Sequence, residues 1–210
     1  MKGKNNIGTI ISLLILIILV TGVVFVHINM QTEDERCPFM IAKILIISTG
    51  EGEQKSYIDE TWKLSLMQIN DVYVYIDENK DVKRNENEIQ KVTIENFQVI
   101  EGPQNAKIDM NLLDDISQPP NLIVFRQTYK NIKEYEYKGS NVVQDGKLLV
   151  AAGITEEELK TIITFDVIIQ TSEDTYMAAV TIEVPAKDLL EHGKGISETT
   201  NFKNIVFEKI

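Results

Sequence analysis

The sequence predicts an all-β fold, an antiparallel β-sandwich that follows a single N-terminal transmembrane helix. Three observations lead to this prediction: an uncharged apolar run near the start, apolar–polar alternation with period two afterwards, and Gly, Pro and Asp turn signals between the alternating segments. The 210 residues provide room for one medium domain or two small ones, with enough apolar content to build a core.

The apolar run covers residues 7–28 and carries no formal charge when His27 is neutral. At about 1.5 Å per residue, a helix of this length spans a hydrocarbon core of about 30 Å. A cleaved signal peptide would have a shorter apolar region followed by a small-x-small site, whereas this run ends Val-Val-Phe-Val-His-Ile. We therefore predict a retained transmembrane anchor at residues 7–28.

The charges that flank the anchor differ in sign, because Lys2 and Lys4 precede it and an acidic group follows it, Glu33-Asp34-Glu35. The positive-inside rule then makes residues 1–6 a cytoplasmic tail. Residues 29–40 become a juxtamembrane linker, and residues 41–210 become an extracytoplasmic β-sandwich domain. The predicted location is the cell membrane, crossed once.

A hairpin is the most strongly indicated local element of the domain. Apolar residues alternate with polar ones over 163–169 and again over 176–184, and the polar segment 171–174 separates the two. We also predict strands elsewhere along the chain, at 41–47, 62–66, 72–76, 91–100, 121–128, 135–137, 147–151 and 204–208.

Turn signals separate most of these strands. They are Gly50-Glu51-Gly52, Glu101-Gly102-Pro103, Pro119-Pro120, Lys138-Gly139-Ser140 and Asp145-Gly146. Pro119-Pro120 divides the β region into two parts of comparable size, so a split near residues 119–120 into two small sandwiches is an alternative. One continuous sandwich is favoured because the first part is small for an independent core.

Helix signals are few in the domain. Thr155 and Glu158 have the spacing of a capping box, and the segment 185–193 begins with proline and ends with glycine, as a short helix does. Each predicts a connector of one or two turns.

The composition limits the choice of partner and compartment. The net charge is -11, and a surface of this sign repels nucleic acid and anionic lipid headgroups. Cys37 is the only cysteine, so the chain forms no internal disulfide, and this thiol stays free or links a homodimer through Cys37. The lack of disulfides favours a bacterial cell envelope over a secreted eukaryotic module.

A loop that runs from Asp77 to Glu88 places oxygen-bearing side chains at several positions that an EF-hand calcium loop uses. However, Val82 stands where the sharp turn needs glycine, and strands are predicted on both sides. A solvated hairpin loop explains the charges better, and a calcium-stabilised adhesion module stays as one alternative.

Catalytic and cofactor signals are weak. Residues 50–56 resemble a phosphate-binding loop only superficially, because Gln54 replaces the glycine that precedes the lysine and two glutamates are present. His192 is the single histidine of the domain, and an envelope hydrolase would need it together with acids such as Asp114 and Asp115. We therefore predict no catalytic, cofactor-binding or metal-binding residue.

The resulting functional prediction is a membrane-anchored, non-enzymatic binding or assembly module of a bacterial cell envelope. Its expected partner is a protein or a cell-wall polymer. An envelope hydrolase that uses acidic residues and His192 is the second alternative.

Overall fold

The structure is a computed structural model that describes residues 37–80, 82, 88–104, 106–113, 118–138, 147–202 and 204–210. Within these residues the protein consists mainly of two antiparallel sheets, which confirms the predicted all-β class. Sheet A has the strand order β4-β5-β2-β1-β8, and sheet B has the order β3-β6-β7-β9.

Three strands of sheet A are long and two are short. In chain order they are β1 (Phe39–Ile58), β2 (Thr61–Glu78), β4 (Lys107–Leu112), β5 (Leu122–Lys138) and β8 (Lys194–Thr199). Sheet B consists of β3 (Ile89–Glu101), β6 (Thr161–Thr171), β7 (Thr175–Val184) and β9 (Glu208–Lys209). The predicted hairpin over 163–184 is confirmed as β6 and β7, which pair from Thr161 with Val184 to Gln170 with Thr175.

The main core lies between the two sheets. Alternating apolar residues of β2 and β6 point into it, and Val72, Val74, Ile163 and Ile169 are at most 1% exposed. Phe125 of sheet A contacts Phe165 of sheet B edge to face, with ring centroids 5.2 Å apart. Face-to-face packing of this kind makes the fold sandwich-like.

Three short helices form a second cluster on sheet A, beyond the end of sheet B. They are α1 (Leu148–Ala151), α2 (Glu156–Leu159) and α3 (Lys187–His192). Leu149, Leu159 and Leu189 are fully buried in this cluster, against Leu64 and Leu66 of β2. Burying one leucine side chain stabilises the fold by about 2 kcal/mol, so a cluster of this size holds the helices in place.

Both predicted connectors are confirmed as short helices. The side chain of Thr155 accepts a hydrogen bond from the Glu158 N–H, and the Glu158 carboxylate accepts one from the Thr155 N–H, so the capping box is complete. Helix α3 ends at Gly193, whose φ of 68° is the left-handed conformation that glycine adopts without strain.

Two strand predictions were wrong. Residues 147–151 were predicted as a strand but form α1, because a short apolar run fits a buried helix as well as a buried strand. Residues 204–208 were also predicted as a strand, and only Glu208–Lys209 pairs, with Met177 and Tyr176 of β7.

The predicted turn at Gly50-Glu51-Gly52 was also wrong, because β1 continues through it. A Cβ atom at Gly50 would lie 2.5 Å from Leu149 Cδ1, and one at Gly52 would lie 2.8 Å from Leu148 Cδ2. These glycines therefore let α1 approach the sheet closely. In a similar way, the strands predicted at 62–66 and 72–76 are parts of one strand, β2, and those predicted at 121–128 and 135–137 are parts of β5.

Strands on the two sides of Pro119-Pro120 pair with each other in both sheets. In sheet A, β2 pairs with β5, and in sheet B, β3 pairs with β6. One continuous sandwich stays the favoured prediction, with a split near residues 119–120 as its alternative. The first strand begins at Phe39, two residues before the predicted start of the domain at residue 41.

The predicted tail at 1–6 and the predicted anchor at 7–28 lie outside the described residues, as does most of the predicted linker. None of the helices in the described ranges is long and apolar enough to cross a membrane.

Candidate functional site

A three-stranded extension of sheet A is the most distinctive surface of the molecule. We call it the distal arm and define it as residues 53–58 of β1, 61–65 of β2 and 131–138 of β5. Strand β1 has 20 residues whereas β3, the longest described strand of sheet B, has 13, so at about 3.3 Å per residue β1 is roughly 23 Å longer.

The distal arm lies at the end of the molecule opposite to the point where the chain enters the fold. Phe39 packs against Tyr176, with ring centroids 6.2 Å apart, and Lys209 forms an ion pair with Asp174 nearby. The chain entry, the β6–β7 turn and the C-terminal strand therefore share one end. The β1–β2 turn, at Asp59 and Glu60, forms the other end.

The tip of the distal arm is a two-residue turn in an uncommon conformation. Asp59 has φ 49° and Glu60 has φ 58°, and both values lie in the left-handed region that favours glycine. A turn with two such residues matches the twist of the flanking strands and makes a tight hairpin. The hairpin has no loop residues beyond these two, because Ile58 pairs directly with Thr61.

One face of the distal arm is aromatic. Tyr57, Trp62 and Tyr137 occupy one row across the three strands, because Tyr57 pairs with Trp62 and Trp62 pairs with Tyr137. The rings of Tyr57 and Trp62 lie 4.4 Å apart between centroids and are tilted by 35°. Tyr57 is 44% exposed, so this row presents aromatic surface to solvent.

The opposite face of the distal arm is charged. Lys63 Nζ lies 2.8 Å from Glu136 Oε1 across β2 and β5, and Lys55 Nζ lies 2.7 Å from Glu53 Oε2 along β1. The hydrogen bond between Lys63 and Glu136 raises the pKa of the lysine and lowers the pKa of the glutamate. Since these side chains are exposed, the pairs keep this face soluble and contribute little to stability.

The base of the distal arm is fixed by the α1–α2 region. Lys133 Nζ donates a hydrogen bond of 3.3 Å to the carbonyl oxygen of Gly153 in the α1–α2 connection. Tyr135 and Ile132 pack partly against the second cluster. The distal arm is therefore held at its base by helix contacts and is more exposed towards the tip.

A buried chain of polar side chains separates the two apolar clusters of sheet A. Gln68 Nε2 donates to Asn70 Oδ1, Asn70 Nδ2 donates to Gln127 Oε1, and Gln127 Nε2 donates to the Tyr129 hydroxyl at 2.5 Å. Tyr129 also hydrogen-bonds with Thr161 of sheet B. Burial raises the pKa of Tyr129 to about 12, so its hydroxyl stays protonated at neutral pH.

His192 lies on the surface at the end of α3. Its side chain is 69% exposed, and its Nε2 lies 3.9 Å from Glu191 Oε2. Asp188 and Glu191 share its side of α3, and all three side chains are exposed. This group sits on a single helical turn in open solvent, an arrangement that is common without any ion. The described contacts of His192 do not include a serine or threonine nucleophile.

Cys37 is buried rather than presented for bridging. It is 5% exposed, and its Sγ accepts a hydrogen bond of 3.4 Å from the Phe39 N–H. Burial raises the pKa of this thiol to about 11. A homodimer through Cys37 stays a prediction, and it would require local opening of the start of β1.

Two sequence-derived candidates fall largely outside the described residues. The loop from Asp77 to Glu88 is described only at its ends and at Val82, and strands flank it as predicted. Asp114 and Asp115 are also outside the described residues.

The distal arm itself was not predicted from the sequence. Its signals were present in the alternation over 62–66 and in the tyrosine pair at 135 and 137, but these segments appeared to be separate short strands. Their alignment into one row depends on the long-range register of β2 with β5.

No protein-family model matches the chain, and no curated protein or solved structure is significantly similar to it. The surface described above is therefore the basis for a functional proposal.

Proposed function

We propose that this protein is a membrane-anchored, non-enzymatic binding or assembly module of a bacterial cell envelope, and that the distal arm is its binding surface. Residues 7–28 would hold it in the membrane, with residues 1–6 in the cytoplasm. The observation that carries the proposal is the exposed aromatic face at the end of the molecule farthest from the chain entry.

The geometry supports display of the distal arm away from the bilayer. The described chain begins at Cys37, next to the end where Phe39 meets Tyr176. An anchor that ends near residue 28 would place this end towards the membrane, because few residues lie between. The tip would then stand about 66 Å farther out, the length of a 20-residue strand at about 3.3 Å per residue.

The chemistry of the distal arm suits binding. Exposed tyrosine and tryptophan side chains give large contact area at low entropic cost, and they are enriched at protein interfaces. The row that Tyr57, Trp62 and Tyr137 form is rigid in its backbone, since two strand ladders hold it. A preorganised surface loses less entropy when a partner binds.

Site-specific photo-crosslinking in intact cells tests the proposal. A photoreactive residue at Tyr57 is expected to give a discrete adduct with a protein or a cell-wall polymer. The matched control places it at Val206, which is 71% exposed and lies near β9 at the entry end. Adducts from Val206 with none from Tyr57 would refute the distal arm as the binding surface.

Sidedness is tested separately with a thiol reagent that does not cross membranes. Native Cys37 is buried, so an Ile58→Cys variant supplies the reactive thiol at a position that is 65% exposed. Labelling of this variant in intact cells supports the proposed topology. Labelling only after cell lysis would overturn it.

A further inference from the structure

The outer edge of β5 changes character halfway along the strand. Strand β4 pairs with β5 from Leu112 with Phe125 to Lys107 with Lys130. Beyond Lys130, none of the described strands pairs with the outer side of β5, although β5 itself continues to Lys138. Residues 131–138 therefore form an open sheet edge, and the regularly paired part, 133–138, offers its outer backbone groups to another strand.

Side chains along this edge alternate between two chemistries. At the centre of this edge, Tyr135 and Tyr137 lie on the aromatic face of the distal arm, whereas Glu134 and Glu136 lie on its charged face. Lys133 and Lys138 lie at the two ends of the edge. An added strand would thus meet tyrosine rings on one side and carboxylates on the other. Apolar and basic residues in alternation are the complement of this pattern.

The other edge of the distal arm is less suited to such pairing. Strand β1 has a register irregularity between Gln54 and Ser56, which leaves Lys55 without a partner position in β2. A bulge of this type bends an edge strand and discourages the addition of another chain. Strand β5 has its own irregularity between Tyr129 and Lys133, where Asn131 has φ 59°. From Lys133 to Lys138 its register with β2 is regular, so this part of the β5 edge is the straighter template.

We propose that residues 133–138 of β5 bind an extended segment of a partner protein as an added strand, and that this segment alternates basic and apolar residues. The proposal rests on the proposed function and specifies how the distal arm binds. Main-chain hydrogen bonds would supply affinity, and the alternating side chains would supply specificity. The net charge of -11 adds long-range attraction for a basic segment.

A second copy of this chain fits the edge poorly. Antiparallel pairing of two such edges over residues 133–138 sets Lys133 opposite Lys138 of the other copy, twice. Like charges directly opposite each other destabilise a strand pair. The charge pattern therefore favours a different chain over a second copy.

Trp62 provides an internal reporter for the test. It is the only tryptophan of the sequence, and it lies on the central strand of the distal arm beside Tyr137. The probe is a short synthetic peptide that alternates lysine and valine. It is expected to change Trp62 fluorescence with saturation and to protect amides within residues 133–138 from hydrogen exchange. A control peptide of the same composition, with its lysines and valines in two blocks, is expected to bind about tenfold more weakly.

A charge variant and a matched control locate the interaction. Glu134→Lys is expected to weaken binding of the alternating peptide about tenfold, because it replaces an attractive cross-strand pair with a repulsive one. Glu53→Lys makes the same charge change at the β1 edge and is expected to leave affinity within about twofold. Equal binding of the two peptides, or equal effects of the two variants, would overturn the proposal. Concentration-dependent dimerisation that is lost in Glu134→Lys would also overturn it in favour of a second copy.

Crosslinking distinguishes this proposal from the proposed function. With the photoreactive residue at Glu134 instead of Tyr57, the same partner should be captured in cells. Adducts from Tyr57 but none from Glu134, together with no binding of the alternating peptide, would refute strand addition and leave the distal arm as a binding surface. Adducts from neither position would refute both.

Discussion

The buried hydroxyl of Tyr129 offers a sharp test of the packing between the two sheets. Tyr129→Phe keeps the ring and removes one oxygen, which accepts a hydrogen bond from Gln127 Nε2 at 2.5 Å and also bonds with Thr161. Tyr129 is fully buried, so water does not replace the lost partner. Leaving one buried donor unsatisfied costs about 1–3 kcal/mol, and we expect a loss of about 2 kcal/mol in the free energy of unfolding.

Urea unfolding measured by Trp62 fluorescence and far-ultraviolet circular dichroism gives this quantity. The transition midpoint should fall while the dependence on urea stays the same, because the exposed area on unfolding does not change. Tyr135→Phe is the matched control, since Tyr135 is only half-buried, and its effect should stay within about 0.5 kcal/mol. A loss below about 0.5 kcal/mol for Tyr129→Phe would refute the role assigned to the polar chain.

Three further outcomes follow from the structure. Glu60→Gly should raise the free energy of unfolding by about 0.5 kcal/mol, because glycine adopts a φ of 58° without the side-chain clash. A lower free energy of unfolding, measured with urea, would contradict this. Burial raises the pKa of both Tyr129 and Tyr176 to about 12, whereas tyrosines of the unfolded chain ionise near 10. The free energy of unfolding should therefore fall as pH rises from about 10 towards 12. Circular dichroism across this range should show a shallower loss of folded protein in Tyr129→Phe. Cys37 is buried and its pKa is raised to about 11, so it should resist iodoacetamide at neutral pH until urea unfolds the protein. Rapid labelling of the native chain would contradict the buried position of this thiol.

Local patterns predicted those elements whose signals are complete within a few residues. The β6–β7 hairpin combines strict alternation with a polar turn, and the capping box of α2 needs only Thr155 and Glu158. In both cases the interactions that stabilise the element are close in sequence. The alternation also predicted which side of each strand is buried, as for Ile163 and Ile169.

Errors arose where a distant contact decides the local structure. Gly50 and Gly52 have the composition of a turn, yet leucines from α1, almost a hundred residues later, pack directly over them. The apolar run that starts at Leu148 is too short to distinguish strand from helix by periodicity, and its position over these glycines decides the outcome. The candidate site was missed for the same reason, because the aromatic row exists only when β1, β2 and β5 are in register.

The continuity of β1 has a mechanical consequence. This single strand joins the chain entry near Cys37 to the tip near Asp59, and a β-strand at about 3.3 Å per residue is already close to the maximal reach of a polypeptide. Tension between a partner held at Tyr57, on β1 itself, and the proposed anchor before Cys37 would run along covalent bonds that have little slack. The neighbouring strands would carry little of that load, so the arm could transmit a pull without unravelling the sandwich beside it.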